Sequence, residues 1–264
     1  MQFGPYRFIF WHTVGALVLT AGIAWGTSLA FSGFRVDQSL SGFWLWLSDS
    51  VSWWGMGLVM VLATVLVAAR QTGLKARVTK GLLFIVGLCA AIGAVAAINE
   101  FGIKRAVAVH RPYVKLLERE ILFSGKDYYA QPSRAERAIF LKKALEKFKD
   151  HPAVKPLDPK IREHWGVLTG YSFPSGHAVI AFLFATMLAF VIEKLIPNGR
   201  RLVWIPFLWA SGICLSRVAV GAHSELDVTV GGLMGGAFGI LFLMSGWLEK
   251  VLPPRAPATD EAGD

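Results

Sequence analysis

Three short polar stretches interrupt an otherwise apolar chain, and together they hold the residue types needed to move a phosphoryl group. They are KRAVAVHRP (104–112), YSFPSGHA (171–178) and SRVAVGAHSELD (216–227). In the first, Lys104 and Arg111 are seven residues apart. Seven helical steps return to nearly the same azimuth, so the spacing predicts both cations on one stripe, with Pro112 ending the helix or bending the chain. Taken alone, these could equally be membrane-edge cations reaching for headgroups. In the second, Pro174-Ser175-Gly176 just before an apolar run reads as a helix start. Free backbone N–H groups there make an anion site, Ser175 can add a hydroxyl, and Gly176 lets a ligand approach the backbone. His177 sits at the mouth of the following helix, where a histidine can also be purely structural. In the third, Arg217 ends one apolar run, and His223 and Asp227 are four apart, a spacing that shares a helix face. The carboxylate could accept Nδ1–H of His223 and leave Nε2 as a nucleophile or base; the alternative is a pair that ties down a loop. Ser224 and Glu225 read as ordinary loop polarity.

Three cations, a helix start, two histidines and an orienting carboxylate fit phosphoryl transfer. Cations and backbone donors would neutralise the phosphoryl oxygens while one histidine attacks and the other supplies a proton. No Cys/His cluster has zinc spacing and no acidic cluster suits magnesium, so no metal or cofactor is expected and the charge stabilisation falls to Lys and Arg. Cys89 and Cys214 lie inside apolar runs and imply neither a disulfide nor a metal site.

The elements that must position these stretches are membrane spans. The 264 residues are 54% hydrophobic, with mean hydropathy +0.50. Six runs, 8–32, 51–69, 81–103, 177–197, 202–220 and 227–248, each approach the ~20 residues that cross a bilayer core. The first is too long for a signal-peptide core and reads as a retained anchor. Basic residues concentrate in the 70–80 connection (Arg70, Lys75, Arg77, Lys80) and the 194–201 connection (Lys194, Arg200, Arg201), whereas 33–50 carries only Arg35 against Asp37 and Asp49. The bias predicts that these basic loops and both termini are cytoplasmic, and that 33–50, 104–176 and 217–227 lie on the other side. All three polar stretches then share one membrane face. The net charge of +9 partly reflects this bias; it favours anionic membrane lipids as neighbours and needs no nucleic acid. Composition sets no oligomeric state.

The expected architecture is all-α, a six-transmembrane-helix bundle with a largely helical extracytoplasmic insertion (113–172) between helices 3 and 4. Ser133-Arg134-Ala135-Glu136 fits a capping box. After it, Ala138, Leu141, Leu145 and Phe148 share one helical face, which would pack on its own loop or lie on the membrane. Asp158-Pro159 reads as a second helix start. Residues 1–252 form one membrane-embedded domain, and 253–264 reads as a disordered tail.

Order and spacing carry a resemblance. Lys104, six residues, Arg111-Pro112; then Pro174-Ser175-Gly176-His177; then Ser216-Arg217, five residues, His223, three residues, Asp227: this is the three-part signature of the type 2 phosphatidic acid phosphatase superfamily. Each part is weak alone, and the ordered set is specific. The match covers 104–227 directly, and the six-span layout extends it over most of the chain. SRAERAIFLKKAL (133–145) and REHWGVLTGYSFPSGH (162–177) make the chain similar to bacterial members acting on phosphatidylglycerol phosphate or undecaprenyl diphosphate. The resemblance implies a metal-independent hydrolase of lipid phosphates in the bacterial inner membrane, with its site facing outward. It implies His223 as nucleophile forming a phosphohistidine, Asp227 as its orienter, His177 as proton donor to the leaving oxygen, and Lys104, Arg111, Ser175, Gly176 and Arg217 as phosphate holders. A phosphotransferase would use the same residues. A transporter would need charge deep in the spans, which are nearly free of it apart from Asn99 and Glu100 near the end of the third. The vanadium haloperoxidases share the signature but are soluble.

Overall fold

Apolar stretches in lipid must satisfy their backbone internally, so they form helices. The computed structural model, which describes residues 6–26 and 38–253, is built of helices, and no strand occurs among the described residues. In chain order these are α1 (Arg7–Gly26), α2 (Gln38–Asp49), α3 (Trp53–Ala69), α4 (Leu74–Ala97), a π-helical segment Ile98–Ile103, α5 (Lys104–Val107), α6 (Pro112–Arg119), α7 (Gly125–Ala130), α8 (Arg134–Lys147), α9 (Pro159–Val167), α10 (Gly176–Leu195), a 3₁₀ turn Gly199–Arg201, α11 (Trp204–Ala219), α12 (Glu225–Met244) and α13 (Trp247–Val251). Among the described residues, five helical stretches are long and apolar enough to cross a membrane, and the bent pair α2–α3 makes up to six. The chain is an all-α, multi-pass membrane protein.

α10 is the axis of the bundle. It is buried on every side, against α12, α11, α4 and α1. Its neighbours turn large apolar side chains outward: Val18, Leu19, Leu58, Leu62, Val65 and Val86 are each more than half exposed. So broad an apolar exterior belongs in lipid. α12 approaches α10 very closely because it presents glycine there. A Cβ on Gly235 would stand 2.1 Å from the carbonyl oxygen of Val179, and one on Gly231 would stand 2.7 Å from that of Ser175. Small residues at this four-residue spacing allow backbone-to-backbone packing. The contact also brings the starts of α10 and α12 together, and the Ser175 N–H donates to the Asp227 carbonyl at 2.9 Å.

The insertion 113–172 forms a helical cap over this end of the bundle, with its own apolar core from Tyr113, Leu117, Tyr128, Leu141, Leu145, Ile161 and Trp165. Leu141 and Leu145 of the α8 stripe are spent on this core. Both expected helix starts are present: Ser133 Oγ accepts from the Glu136 N–H at 3.2 Å and Asp158 accepts from the Lys160 N–H at 2.8 Å. The cap grips the turn after α11, because Trp165 Nε1 donates to the Val220 carbonyl at 2.8 Å and the Tyr113 N–H to that of Gly221 at 3.2 Å.

Four local expectations are corrected. The 33–50 connection holds a helix, α2, which continues into α3 after a bend of 47°. The third span starts at Leu74 rather than 81 and passes through a π-helical segment before Lys104. Lys104 and Arg111 do not share a helix: the helix stops at Val107, Ala108 adopts a left-handed conformation (φ 50°), and Pro112 opens α6 instead of ending a helix. His223 and Asp227 do not share a helical turn, since α12 begins only at Glu225. Residues 27–32 of the first run, together with Arg35, Asp37 and the tail from 254 onward, lie outside the described residues.

Candidate functional site

All eight residues singled out from the sequence converge at one end of the bundle, where α10 and α12 start and where α11 and α5, the last piece of the helix begun by α4, end. The tight turn after α11 places His223: the backbone N–H groups of Ala222 and His223 both donate to the Arg217 carbonyl at 3.1 Å. The imidazole is buried, with 2% of its surface exposed. Arg111, also buried, reaches it from the far side of the 108–111 break. Its Nη1 lies 3.3 Å from His223 Nε2 and donates to the Ala222 carbonyl at 2.9 Å; its Nε donates to the Gly170 carbonyl at 2.8 Å.

These contacts settle the tautomer. A guanidinium can only donate, so Nε2 of His223 presents its lone pair and Nδ1 carries the proton. Nδ1 faces Ser172 Oγ at 3.3 Å, and that hydroxyl donates to Asp227 Oδ2 at 2.5 Å. Nδ1 and Oδ2 themselves are 3.6 Å apart, too far for a direct hydrogen bond. The expected His–Asp pair is therefore relayed through a serine that the sequence did not single out. Ser172 is fully buried, and its own N–H is held by the Val109 carbonyl at 2.8 Å. Asp227 also closes a reciprocal capping box with Ser224, accepting the Ser224 N–H at 2.7 Å while its own N–H donates to Ser224 Oγ at 3.2 Å. Ser224, read from sequence as loop polarity, is the N-cap of α12.

Burial, followed by the fields of Arg111, Arg217 and Lys104, holds His223 well below the ordinary histidine range. It is neutral at physiological pH. His164 behaves likewise: burial and the charges of Arg217 and Arg111 push it down to about 3. Its Nε2 accepts from Arg217 Nη1 at 2.9 Å. Ser48 of α2 also meets Arg217 Nη1. Neither Ser48 nor His164 was expected at the site. Arg217 is fully buried, yet its Nε and Nη2 have no hydrogen-bond partner among the described residues. Ser175 caps α10, its Oγ accepting from the Ala178 N–H at 3.4 Å. A Cβ on Gly176 would stand 3.4 Å from Asn99 Nδ2 and 3.8 Å from Lys104 Nζ, which places both groups beside the start of α10. Lys104 pairs with Glu100 at 3.0 Å. His177 is half-buried, with Arg217, His223, His164 and Arg111 as the charged and titratable groups around it.

The opposite end of the bundle gathers the other basic loops. Lys80 Nζ donates to the Lys250 carbonyl at 2.5 Å and Arg200 pairs with Glu193 at 2.9 Å.

Comparison with known proteins supplies the family. The chain is 32% identical over 161 residues to phosphatidylglycerophosphatase B of Escherichia coli (strain K12), covering 60% of this chain and 58% of that protein. The matched stretch thus spans less than two thirds of that relative's length. It is 27% identical over 223 residues to phosphatidylglycerophosphatase B of Haemophilus influenzae, covering 83% of this chain and 87% of the relative. The family profile described as PAP2 superfamily matches residues 82–250, a stretch that holds the three polar clusters, the cap and the core of the bundle, and the chain belongs to that superfamily.

Proposed function

We propose that the protein is a membrane lipid phosphatase that removes the terminal phosphate of a lipid phosphate or diphosphate through a phosphohistidine on His223. The observation that carries the reading is Arg217. A fully buried guanidinium with two donor nitrogens unpartnered among the described residues is costly unless an anion completes it. Arg111 is close enough for its charge to act on Arg217, and Lys104 stands at the start of α10, where Ser175 and Gly176 add a hydroxyl and free backbone N–H groups. This is a cradle for a phosphoryl group.

The chemistry follows from the contacts. Phosphoryl oxygens take the N–H donors of Arg217, Lys104 and Arg111, which draws Arg111 Nη1 off His223 Nε2. The freed lone pair forms the N–P bond as the P–O bond to the lipid breaks. His177 delivers a proton to the leaving oxygen and then takes one from the water that attacks phosphorus. That second step breaks the N–P bond and releases phosphate. His223 gains positive charge when it attacks. Its Nδ1–H is stabilised through Ser172 by the Asp227 carboxylate, the partner that fixes the tautomer. We propose a metal-independent reaction, because a pocket already holding three cations would repel a divalent ion while supplying its charge.

Residues 1–252 would act as one catalytic domain in the bacterial cytoplasmic membrane. The uneven distribution of basic loops supports cytoplasmic termini and a site on the outer face. The relatives' printed name supports phosphatidylglycerol phosphate as a substrate, and the resemblance carried by the 133–145 and 162–177 stretches adds undecaprenyl diphosphate. The test is phosphate release by the purified protein in detergent from these two lipids and from phosphatidic acid, with and without a chelator and with and without an acceptor alcohol. Release that survives chelation is expected, with water as the phosphate acceptor. No release from any of the three, or release abolished by chelation, would overturn the reading.

A further inference from the structure

A second polar cavity of about 340 Å³ lies against the cradle, lined by Glu100, Lys104, Arg105, Arg134, Arg137 and Tyr171 among others. It sets four cations against one carboxylate. Gly170 is the partition between the two spaces. Its carbonyl accepts Arg111 Nε at 2.8 Å, and a Cβ on its other side would stand 3.3 Å from Arg134 Nη2 and 3.6 Å from Glu100 Oε1. Lys104 serves both: its Nζ lies near Gly176 in the cradle and pairs with Glu100 at 3.0 Å in the cavity. An anion in the cavity and a phosphoryl group in the cradle would therefore be adjacent and share one ammonium.

The cavity is a built feature. Glu100 is presented by the π-helical segment Ile98–Ile103, an irregularity that recurs at functional sites. Its carboxylate is held between Lys104 and Arg134, where an anion is already stable. Arg137 is fixed by donating to the carbonyls of Thr169 (3.3 Å) and Tyr129 (3.2 Å), with its guanidinium 5.3 Å and 5.9 Å from the ring centres of Tyr129 and Tyr171. Those two rings are themselves stacked at 4.8 Å. Held this way, Arg137 keeps a buried Nε with no hydrogen-bond partner among the described residues.

We infer that this cavity seats a second phosphate on the substrate, the one that stays with the lipid when the terminal phosphate is cleaved, and that Arg134 and Arg137 of α8 set the preference for lipids carrying two phosphates over those carrying one. The inference rests on the phosphatase reading above. Glu100 acts as the resident counter-anion. A phosphate brings more charge and more acceptor oxygens than a carboxylate, so it outcompetes Glu100 for Arg134, whereas a lipid with one phosphate leaves the pairing in place.

The experiment measures kcat/KM of the purified full-length protein in detergent for undecaprenyl diphosphate, phosphatidylglycerol phosphate and phosphatidic acid. Arg134→Gln alters a side chain that is 63% exposed, so folding should survive; a thermal melt checks it. The ratio of each two-phosphate lipid to phosphatidic acid should fall about tenfold, as expected for one lost charge-assisted hydrogen bond. Arg134→Lys should restore part of it, and Glu100→Gln should raise it. A fall for the diphosphate alone places a directly linked phosphate in the cavity; a fall for both places either kind. Ratios that stay unchanged in both Arg134→Gln and Arg137→Gln would overturn the inference while leaving the phosphatase reading standing. Wild-type protein that releases phosphate from no lipid would overturn both, and the two failures are thereby distinguished.

Discussion

The two ends of the bundle are both rich in lysine and arginine, and they use them in opposite ways. At the end where α4 starts and α13 lies, three cations are matched as they stand: Lys80 to a backbone carbonyl, Arg200 to Glu193, and Lys194 to Glu249 at 4.0 Å. At the other end Arg111 and Arg217 are buried, each against a histidine, and Arg217 keeps two donor nitrogens with no hydrogen-bond partner among the described residues. Charge count does not distinguish the ends. What distinguishes them is desolvation and incomplete pairing, which a soluble anion can relieve.

That contrast can be broken by substitution. Arg217→Gln should lower phosphate release about 10²- to 10³-fold, the usual cost of removing one preorganised donor to a developing charge. A loss confined to KM with kcat intact would mean that Arg217 binds the ground state and the transition state equally. A smaller effect is expected at Ser172. Ser172→Ala leaves His223 Nδ1 facing a carboxylate 3.6 Å away, and kcat should drop about tenfold. Its pH profile is the sharper readout. Because burial and three cations depress His223, the neutral form persists as pH falls. The acid limb of kcat/KM, corrected for substrate ionisation, should therefore lie well below the ~6.5 of ordinary histidine. In Ser172→Ala the hydroxyl that accepts Nδ1–H is gone, so the imidazolium loses a partner and the limb should move lower still. A limb that rises instead would show that Ser172 does not accept from Nδ1. At the far end, Lys80→Gln should leave turnover unchanged and stability within about 0.5 kcal/mol. A large activity loss there would sink the claim that the two ends differ in role.

How far the sequence foretold this depended on the kind of residue. The cations and histidines stood out because apolar spans bracket them, and the order of the three stretches identified the family before any geometry. Helix starts at Ser133 and Asp158 were legible because capping is local. Ser172 was not, since a serine in a polar loop is unremarkable until the 109 segment and α12 meet around it. His164 and Ser48 reach Arg217 from 53 and 169 residues away, and Ser48 sits on a helix hidden in a stretch that looked like a connection. The shared stripe of Lys104 and Arg111 failed because nothing in AVAVH marks the left-handed turn at Ala108. The two side chains still meet the same site, brought there by a chain break rather than by helical periodicity.

The central claim is that His223 becomes phosphorylated. The direct measurement is rapid-quench trapping with a lipid diphosphate labelled on its terminal phosphate, followed by peptide mapping under basic conditions, in which phosphohistidine survives. An acid-labile, base-stable label is expected on the peptide containing His223, absent in His223→Ala, which should also lose turnover about 10⁴-fold or more. Label on another residue, or phosphate release at wild-type rate by His223→Ala, would contradict it.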